Sequence, residues 1–275
     1  MRKIPLLLLF LFSLACPLSA SEPLDKDLLV RRAAYLFNKG DHQQARILLE
    51  LVEADPAYAP LRYFMLGKIY RQKDLKDEAK ALENFELALR YSTSEKLRLY
   101  SKIHIVYLSL NAGAMERAVS LAEEVLSQAP SDPDATYCYA MAHNALGFRL
   151  MKEQDAKGEK SDDRKYLEAI GHFETALKAR PKLYGIANNA AVCYARIAEK
   201  YCPKKPGCCE NSRKGMEFLL RYPDKLMRKG TGPTTRDYLV QLCPELGVLS
   251  APITASDAMA TPSARGEDAA PTPTP

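Results

Sequence analysis

Tryptophan is absent from this 275-residue chain, and glycine is scarce at 13 residues. The alternating Val, Ile and Thr runs that build strands are missing too, which argues against a sheet. Ala, Leu, Glu, Lys and Arg take their place, and these residues favour helix. Histidine occurs only at His42, His104, His143 and His172. None of the four forms an HExxH or a Cys–His metal pattern. His143 and His172 approach each other only if their two helices pair; otherwise they are ordinary polar residues of repeat helices. The stretch 229–234, Lys-Gly-Thr-Gly-Pro-Thr, lacks the phosphate-loop order of glycines, lysine and hydroxyl and reads as a turn. The carboxylate pairs Glu123-Glu124 and Asp162-Asp163 lie in strongly charged stretches, and general acid catalysis needs a pocket. This screen yields no catalytic residue, no cofactor site and no metal site, so the reading is a non-enzymatic protein.

Charge of one sign is also in short supply. The formal net charge is +5, and +3 once Arg2 and Lys3 are removed. So small an excess argues against a nucleic-acid partner. Long apolar runs are confined to the first twenty residues. Arg2 and Lys3 form a basic start, residues 4–15 an apolar stretch too short to cross a bilayer, and Leu18-Ser19-Ala20 a small-residue cleavage site after Pro17. Residues 1–20 are therefore expected to be a secretion signal cleaved after Ala20. A second reading stays open. Ser13-Leu14-Ala15-Cys16 resembles a bacterial lipobox with Cys16 as the acylated residue, although Ser13 stands where an aliphatic residue is usual and Pro17 follows the cysteine. Either reading places the chain outside the cytoplasm, in the periplasm or cell envelope.

What is present is a pattern that returns. In 169–181 a small residue, Ala169, is followed four on by Phe173, three further by Ala176 and five further by Pro181. Ala81, Phe85 and Ala88 repeat the spacing without the proline. Ala118, Ala122, Val125 and Pro130 repeat it with alanine for the aromatic, and 40–56 repeats it again. The periodicity predicts helices in pairs: 28–49 around a Gly40-Asp41 turn, 61–70 with 77–91, and 97–110 with 115–127. A fourth pair begins behind an Asp/Ser cap at 131–134, carries Ala140 and Leu146, and closes with 166–179 after about seventeen extra residues. A fifth pair is 188–198 with 212–221, and 235–246 is a terminal helix. The charged insert near 150–165 is expected to extend or loop out of the fourth pair, its charge keeping it from the core, so that deleting 153–161 leaves folding cooperative. From about residue 250 to 275 the chain is Ala, Pro, Thr and Ser without period, and is expected to be disordered.

These units resemble tetratricopeptide (TPR) repeats, helix–turn–helix modules of about 34 residues. The positions that carry the resemblance are Ala33, Ala45 and Pro56; Gly67, Tyr70, Ala81, Phe85 and Ala88; Ala118 and Pro130; Ala140, Ala169, Phe173, Ala176 and Pro181; Ala191 and Tyr194. They cover roughly residues 26 to 225. The resemblance implies an all-α, right-handed superhelix of stacked pairs, with a repeat domain over 25–225 and a capping helix in 226–249. One pair cannot bury its apolar face alone, whereas stacked pairs share a continuous core. The resemblance also implies a concave groove lined by the first helix of each pair. Its candidate residues here are Phe64, Lys68 and Arg71; Tyr137, Met141 and Asn144; and Asn188, Val192 and Arg196. The Lys/Asn arrangement by which some members hold a terminal carboxylate is not found. A protein or peptide partner with an apolar segment and polar edges is the expectation. The competing reading of these residues is packing between repeats.

Loss of the signal leaves Cys138, Cys193, Cys202, Cys208, Cys209 and Cys243, an even number that favours disulfides in an exported protein. Cys202 is expected to pair with Cys208 or Cys209 across a short Pro- and Gly-containing loop, and the remaining neighbour to reach Cys243. A metal site would need two more placed ligands, and no second CxxC exists. Cys138 and Cys193 read as buried thiols on first helices. Between Arg196 and Lys229 there are about ten basic and four acidic residues. That stretch is either a solvated helical face or a patch for an anionic partner or membrane headgroups. An envelope assembly factor held by a lipid on Cys16 is the alternative function, and a redox or metal protein using the cysteine loop a third.

Overall fold

The computed structural model describes residues 25–52, 55–202, 208–221 and 234–250, with the side chains of 208 and 248–250 outside that set. The proposed signal and Cys16, the 203–207 loop, most of the 229–234 turn and the tail from 251 lie outside the described residues. Among the described residues there is no strand.

The helices follow in pairs. They are α1 (Lys26–Asn38), α2 (His42–Leu51), α3 (Ala59–Tyr70), α4 (Glu78–Tyr91), α5 (Glu95–Asn111), α6 (Met115–Gln128), α7 (Pro133–Asp155), α8 (Asp163–Ala179), α9 (Tyr184–Tyr201), α10 (Cys208–Arg221) and α11 (Thr235–Leu242), with 3-10 turns at Gly158–Lys160 and Pro244–Ser250. The starts are chemically marked. Asp25, Asp41, Asp77, Asp132 and Asp162 each accept backbone N–H bonds of the turn that follows. Thr234 and Asp237 cap α11 reciprocally. Each such cap satisfies donors that a helix leaves free, and is worth about 1 kcal/mol. Gly40 ends the first hairpin turn at φ +85°, a left-handed conformation that costs glycine nothing.

The chain divides into two compact units, Met1–Leu108 and Ser109–Pro275. In the first, α1, α2 and α3 pack around Val30, Ala33, Leu36, Ala45, Leu49, Met65, Leu66 and Ile69, and α3 packs on α4. In the second, α7 packs on α8 and α9 on α10, and α8 bridges to α9 around Phe173, Leu177, Ile186 and Ala190. A separate cluster of Ala191, Ala195, Met216, Leu239 and Leu246 seats α11 on α9 and α10.

Two glycines set the closest approaches between helices. A Cβ on Gly67 would meet the Phe85 ring at 2.8 Å. A Cβ on Gly147 would meet the Phe173 ring and the Ala169 carbonyl oxygen, both at 2.9 Å. Gly147 is thus to α7 what Gly67 is to α3. This corrects the frame read from the sequence, which placed Ala140 at the close-contact position, seven residues too early.

The insert also behaves differently from its expectation. It does extend the fourth pair, as added turns of α7 and a short 3-10 turn. It is not, however, held out of the interior. Gln154 is 1% exposed, and its Oε1 accepts the Asp162 N–H at 3.0 Å. Ser161 is buried, and Lys200 of α9 reaches its carbonyl at 2.6 Å. The charged Glu153, Lys157, Glu159 and Lys160 face water, as do Ala156 and Gly158, while Gln154 and Ser161 pack. Charge excludes single side chains from the core, not the segment that carries them.

Candidate functional site

In the second unit, α9 is bordered by three clefts. Met141 and Asn144 of α7, with Lys182, Tyr184, Ile186 and Asn189, line one of about 470 Å³ at its start. Val192, Ala195 and Arg196 face Thr234, Thr235, Asp237, Tyr238 and Gln241 across one of about 390 Å³. Arg196, Glu199 and Lys200 line a third, of about 670 Å³, with Asp155, Glu159, Ser161 and Tyr166 of the lengthened pair. Asn189 Nδ2 donates to Asn144 Oδ1 at 3.4 Å. Asn188 Oδ1 is buried without a hydrogen-bond partner. An unpaired buried acceptor costs about 1–3 kcal/mol.

Charges on this face are matched. Asp155 accepts from the Tyr166 hydroxyl at 2.9 Å and lies 3.5 Å from Arg196 Nε. Burial and this bond push the Tyr166 phenol up from its ordinary value. Arg196 also bonds Glu199 at 3.1 Å, and Lys200 bonds Asp163 at 2.5 Å. The same holds further along the basic stretch, where Arg213 pairs with Glu217 and Lys214 with Glu210. The described part of that stretch is therefore a set of ion pairs on a solvated surface.

Tyr137 lies apart from these clefts, exposed beneath the Arg180 guanidinium at 5.8 Å. With Gly147 as reference, the α7 positions equivalent to Phe64 and Lys68 are Asn144 and Phe148. Sequence reasoning missed Phe148, which is exposed with Lys152 Nζ 5.5 Å above its ring. The signal was there in Gly147, the only glycine of α7.

In the first unit the corresponding face is aromatic and cationic. Lys68 Nζ stands 4.8 Å over the Phe37 ring and 6.0 Å from that of Phe64. Arg71 lies 5.8 Å over Tyr107 and donates from Nη1 to His104 Nδ1 at 2.5 Å. His104 stacks on Phe85 with ring centroids 4.5 Å apart. Burial, with Arg71 and Lys68 beside it, pushes its pKa down to about 4, so the imidazole is neutral and accepts. Phe64 packs edge-on to Phe85, so it belongs to the repeat packing as much as to the surface.

Among titrating groups off these faces, His143 and His172 do meet, with their Nδ1 atoms 2.9 Å apart. The ring centroids are 5.2 Å apart, which is the N–N separation plus two ring radii. The nitrogens therefore face each other head on, as in a hydrogen bond rather than a chelate. His143 Nε2 is 3.8 Å from the Glu123 carboxylate. A proton on that nitrogen is favoured, so His172 Nδ1–H donates to His143 Nδ1. Burial lowers both pKa values, that of His143 to about 4.

Cys209 and Cys243 form a disulfide with Cα atoms 5.1 Å apart, tying α11 to α10. Cys202 is disulfide-bonded as well. Cys209 is thus the neighbour that reaches Cys243, and the side chain of Cys208 lies outside the described residues. Cys138 and Cys193 are free, buried, and pushed up to about 12 by burial, which makes them poor nucleophiles. Cys209, Cys243 and Glu245 are close enough to share an ion, but the two sulfurs are spent on each other. No helix of the described residues is long and apolar enough to cross a membrane.

Paired helices joined by short turns, with a glycine against a phenylalanine in the α3–α4 and α7–α8 pairs, make this an all-α helical-repeat protein of tetratricopeptide-like construction. No family model matches the chain, and no curated protein does. Solved structures similar to it include YrrB, titled a TPR protein with an unusual peptide-binding site, at 17% identity and TM-score 0.48 over 74% of this chain and 89% of that one. A MamA protein is similar at 12% identity and TM-score 0.48 over 75% and 97%. MamA from Desulfovibrio magneticus RS-1 is similar at 16% and 0.47 over 73% and 98%.

Proposed function

We propose that this chain is an exported, non-enzymatic scaffold of the cell envelope that binds a segment of a partner protein along the face carried by its first helices. The observation that carries the reading is the surface of α9. Three clefts border that one helix, and the Asn144–Asn189 pair in one of them offers amide groups able to hold a polypeptide backbone. Peptide groups need both a donor and an acceptor from whatever holds them, and asparagine supplies both. Val192, Ala195 and Ile186 supply apolar floor between the amides.

Export is supported by the apolar N-terminal stretch and by the Cys209–Cys243 disulfide, since such bonds persist in oxidising compartments. The lipid-anchored reading differs only at the N-terminus. Mass measurement of the mature protein separates a free Ser21 from an acylated Cys16.

The binding face is tested by site-specific photo-crosslinking in native envelope extract. Benzoylphenylalanine in place of Val192 should capture a discrete partner, and the same probe in place of Leu167, exposed on α8, should not. Equal capture from both positions, or from neither, would refute the α9 face.

A further inference from the structure

One side of α1 is left uncovered. Leu28, Arg32 and Tyr35, with Lys39 at the C-terminal cap, follow one another at helical spacing and form a single exposed stripe. Val30, Ala33 and Leu36 are turned into the core. Leu28 is 62% exposed, more than any other large apolar side chain among the described residues, and Tyr35 is 51% exposed. Arg32 stands 5.3 Å and Lys39 5.7 Å from the centre of the Tyr35 ring. Neither cation forms an ion pair among the described residues. A ring face restrains a cation without neutralising it. The repeat shows which way the stripe faces. Ala33 of α1 corresponds to Gly67 of α3, 34 residues on. Arg32 and Tyr35 then correspond to Leu66 and Ile69, which are buried in the cluster that α1 and α2 share with α3. On a first helix these positions face whatever precedes it in the chain. What precedes α1 is the segment that carries the apolar stretch 4–15 and Cys16.

We propose that this stripe docks the first unit on the surface of an anionic lipid bilayer. The proposal rests on the lipid-anchored form of the reading above and gives the anchored chain an orientation, which a lipid on Cys16 does not supply by itself. Asp25 follows Cys16 by nine residues. The start of α1 therefore lies within about 30 Å of an acylated Cys16. So short a tether makes the bilayer the surface that α1 meets at the highest effective concentration. The side chains suit that surface. Leu28 has apolar length to reach the acyl boundary, and Tyr35 is an amphipathic ring of the kind that settles at headgroup depth. Arg32 and Lys39 can keep their stems along the ring while their charges meet lipid phosphates. A second copy of the chain suits it less well. A two-fold contact through the stripe would gather four cations with no carboxylate of the stripe among them.

The test uses the full chain, expressed with its N-terminal segment, purified from membranes and reconstituted in vesicles. An environment-sensitive fluorescent amino acid replaces Leu28 in one sample and Leu167, exposed on α8, in another. Brominated phosphatidylcholine in the vesicles quenches a probe that reaches the acyl boundary. With phosphatidylglycerol also present, the probe at 28 should be quenched and the probe at 167 should not. Arg32→Glu/Lys39→Glu should cut the quenching at 28 several-fold, since each cation near an anionic surface adds to the attraction. The variant should still float with the vesicles through its anchor. Both substituted side chains are exposed, and circular dichroism checks that the variant stays folded. No quenching at 28 in protein that floats, or equal quenching at both positions, overturns the docking surface and leaves the anchor standing. So does quenching that survives charge reversal or the removal of phosphatidylglycerol. A mature N-terminus at Ser21 overturns the anchored reading. Protein of that form, added to the same vesicles, supports the stripe if the probe at 28 is quenched and overturns it if not. Shielding of that probe in lipid-free protein, rising with protein concentration, assigns the stripe to a second copy and overturns the proposal.

Discussion

The α3–α4 pair of the first unit and the α7–α8 pair of the second are built on one contact and put it to different use. In both, a glycine of the first helix lies under a phenylalanine of the second. Phe85 follows Gly67 by eighteen residues, and Phe173 follows Gly147 by twenty-six. The extra length lengthens both helices beyond the contact and leaves the contact itself unchanged. The added turns then build one wall of the Asp155–Lys200 cleft and bring Asp155 and Asp163 to Arg196 and Lys200. Cations on the second face are thereby neutralised from within. On the first face no such overhang exists, and Lys68 and Arg71 rest on rings instead.

The largest expected effects test the shared contact. Phe85→Ala and Phe173→Ala each remove a fully buried ring and should each cost about 3–5 kcal/mol in urea unfolding. A cost below about 1 kcal/mol for either would break the equivalence of the pairs. Next comes the tie that only the second unit has. Cys209 and Cys243 close a loop of 34 residues. Replacing both by serine should lower stability by about 3–4 kcal/mol if α11 unfolds with the rest. Hydrogen exchange should then show faster opening of 234–247 and unchanged protection in α3 and α4.

A third effect is shared but differently seated. His104 in the first unit and His143 in the second have folded pKa values lowered from 6.5 to about 4. Groups depressed in this way favour the fold above the unfolded value and lose that contribution as pH falls. Stability should therefore decline between pH 6.5 and about 4, by on the order of 2–3 kcal/mol for each histidine, and level off below. His143→Gln should flatten the part of this slope that hydrogen exchange assigns to α7 and α8. His172 and Glu123 face that histidine, and their charges will broaden the transition. An unchanged pH profile would show that the pair titrates freely.

The smallest effect is the sharpest discriminator. Alanine for glycine within a helix gains about 1 kcal/mol, and overpacking costs about 1–3. At Gly67 the obstacle is the fully buried Phe85 ring alone, held by His104 and Phe64, so Gly67→Ala should cost about 1–2 kcal/mol. At Gly147 the Ala169 carbonyl is backbone and cannot yield. Gly147→Ala should cost about 1–2 kcal/mol more than Gly67→Ala in the same thermal-melt series.

Much of the fold was legible because helices announce themselves locally. The pairs, most of their boundaries within a few residues, the Gly40 turn and the Asp132 cap follow from periodicity and capping chemistry. The candidate face was legible in part. Phe64, Lys68 and Arg71 were named together because Gly67 has no competing small residue nearby. On α7, Ala140 and Gly147 are seven residues apart, close to two full turns, and lie on the same side of the helix. Both satisfy the local pattern, so the frame from Ala140 named Tyr137, Met141 and Asn144, of which Met141 and Asn144 line a cleft beside α9, and did not name Phe148. The buried role of Gln154 was hidden for a different reason, since composition averages over a segment while burial acts on single side chains.

By itself the amino-acid order determined the all-helical class, the number and order of the helical pairs it names, and the pool of cysteines available for bonding. These depend on backbone propensity, caps and spacing within one or two turns, all of which are local. Which of two like-faced small residues meets an aromatic, whether Cys208 or Cys209 turns toward Cys243, and which cations find a carboxylate were decided only by tertiary structure. Each is set by the rotation of one helix against another. That rotation is chosen by the packing of whole apolar faces, and no window of sequence contains both of them.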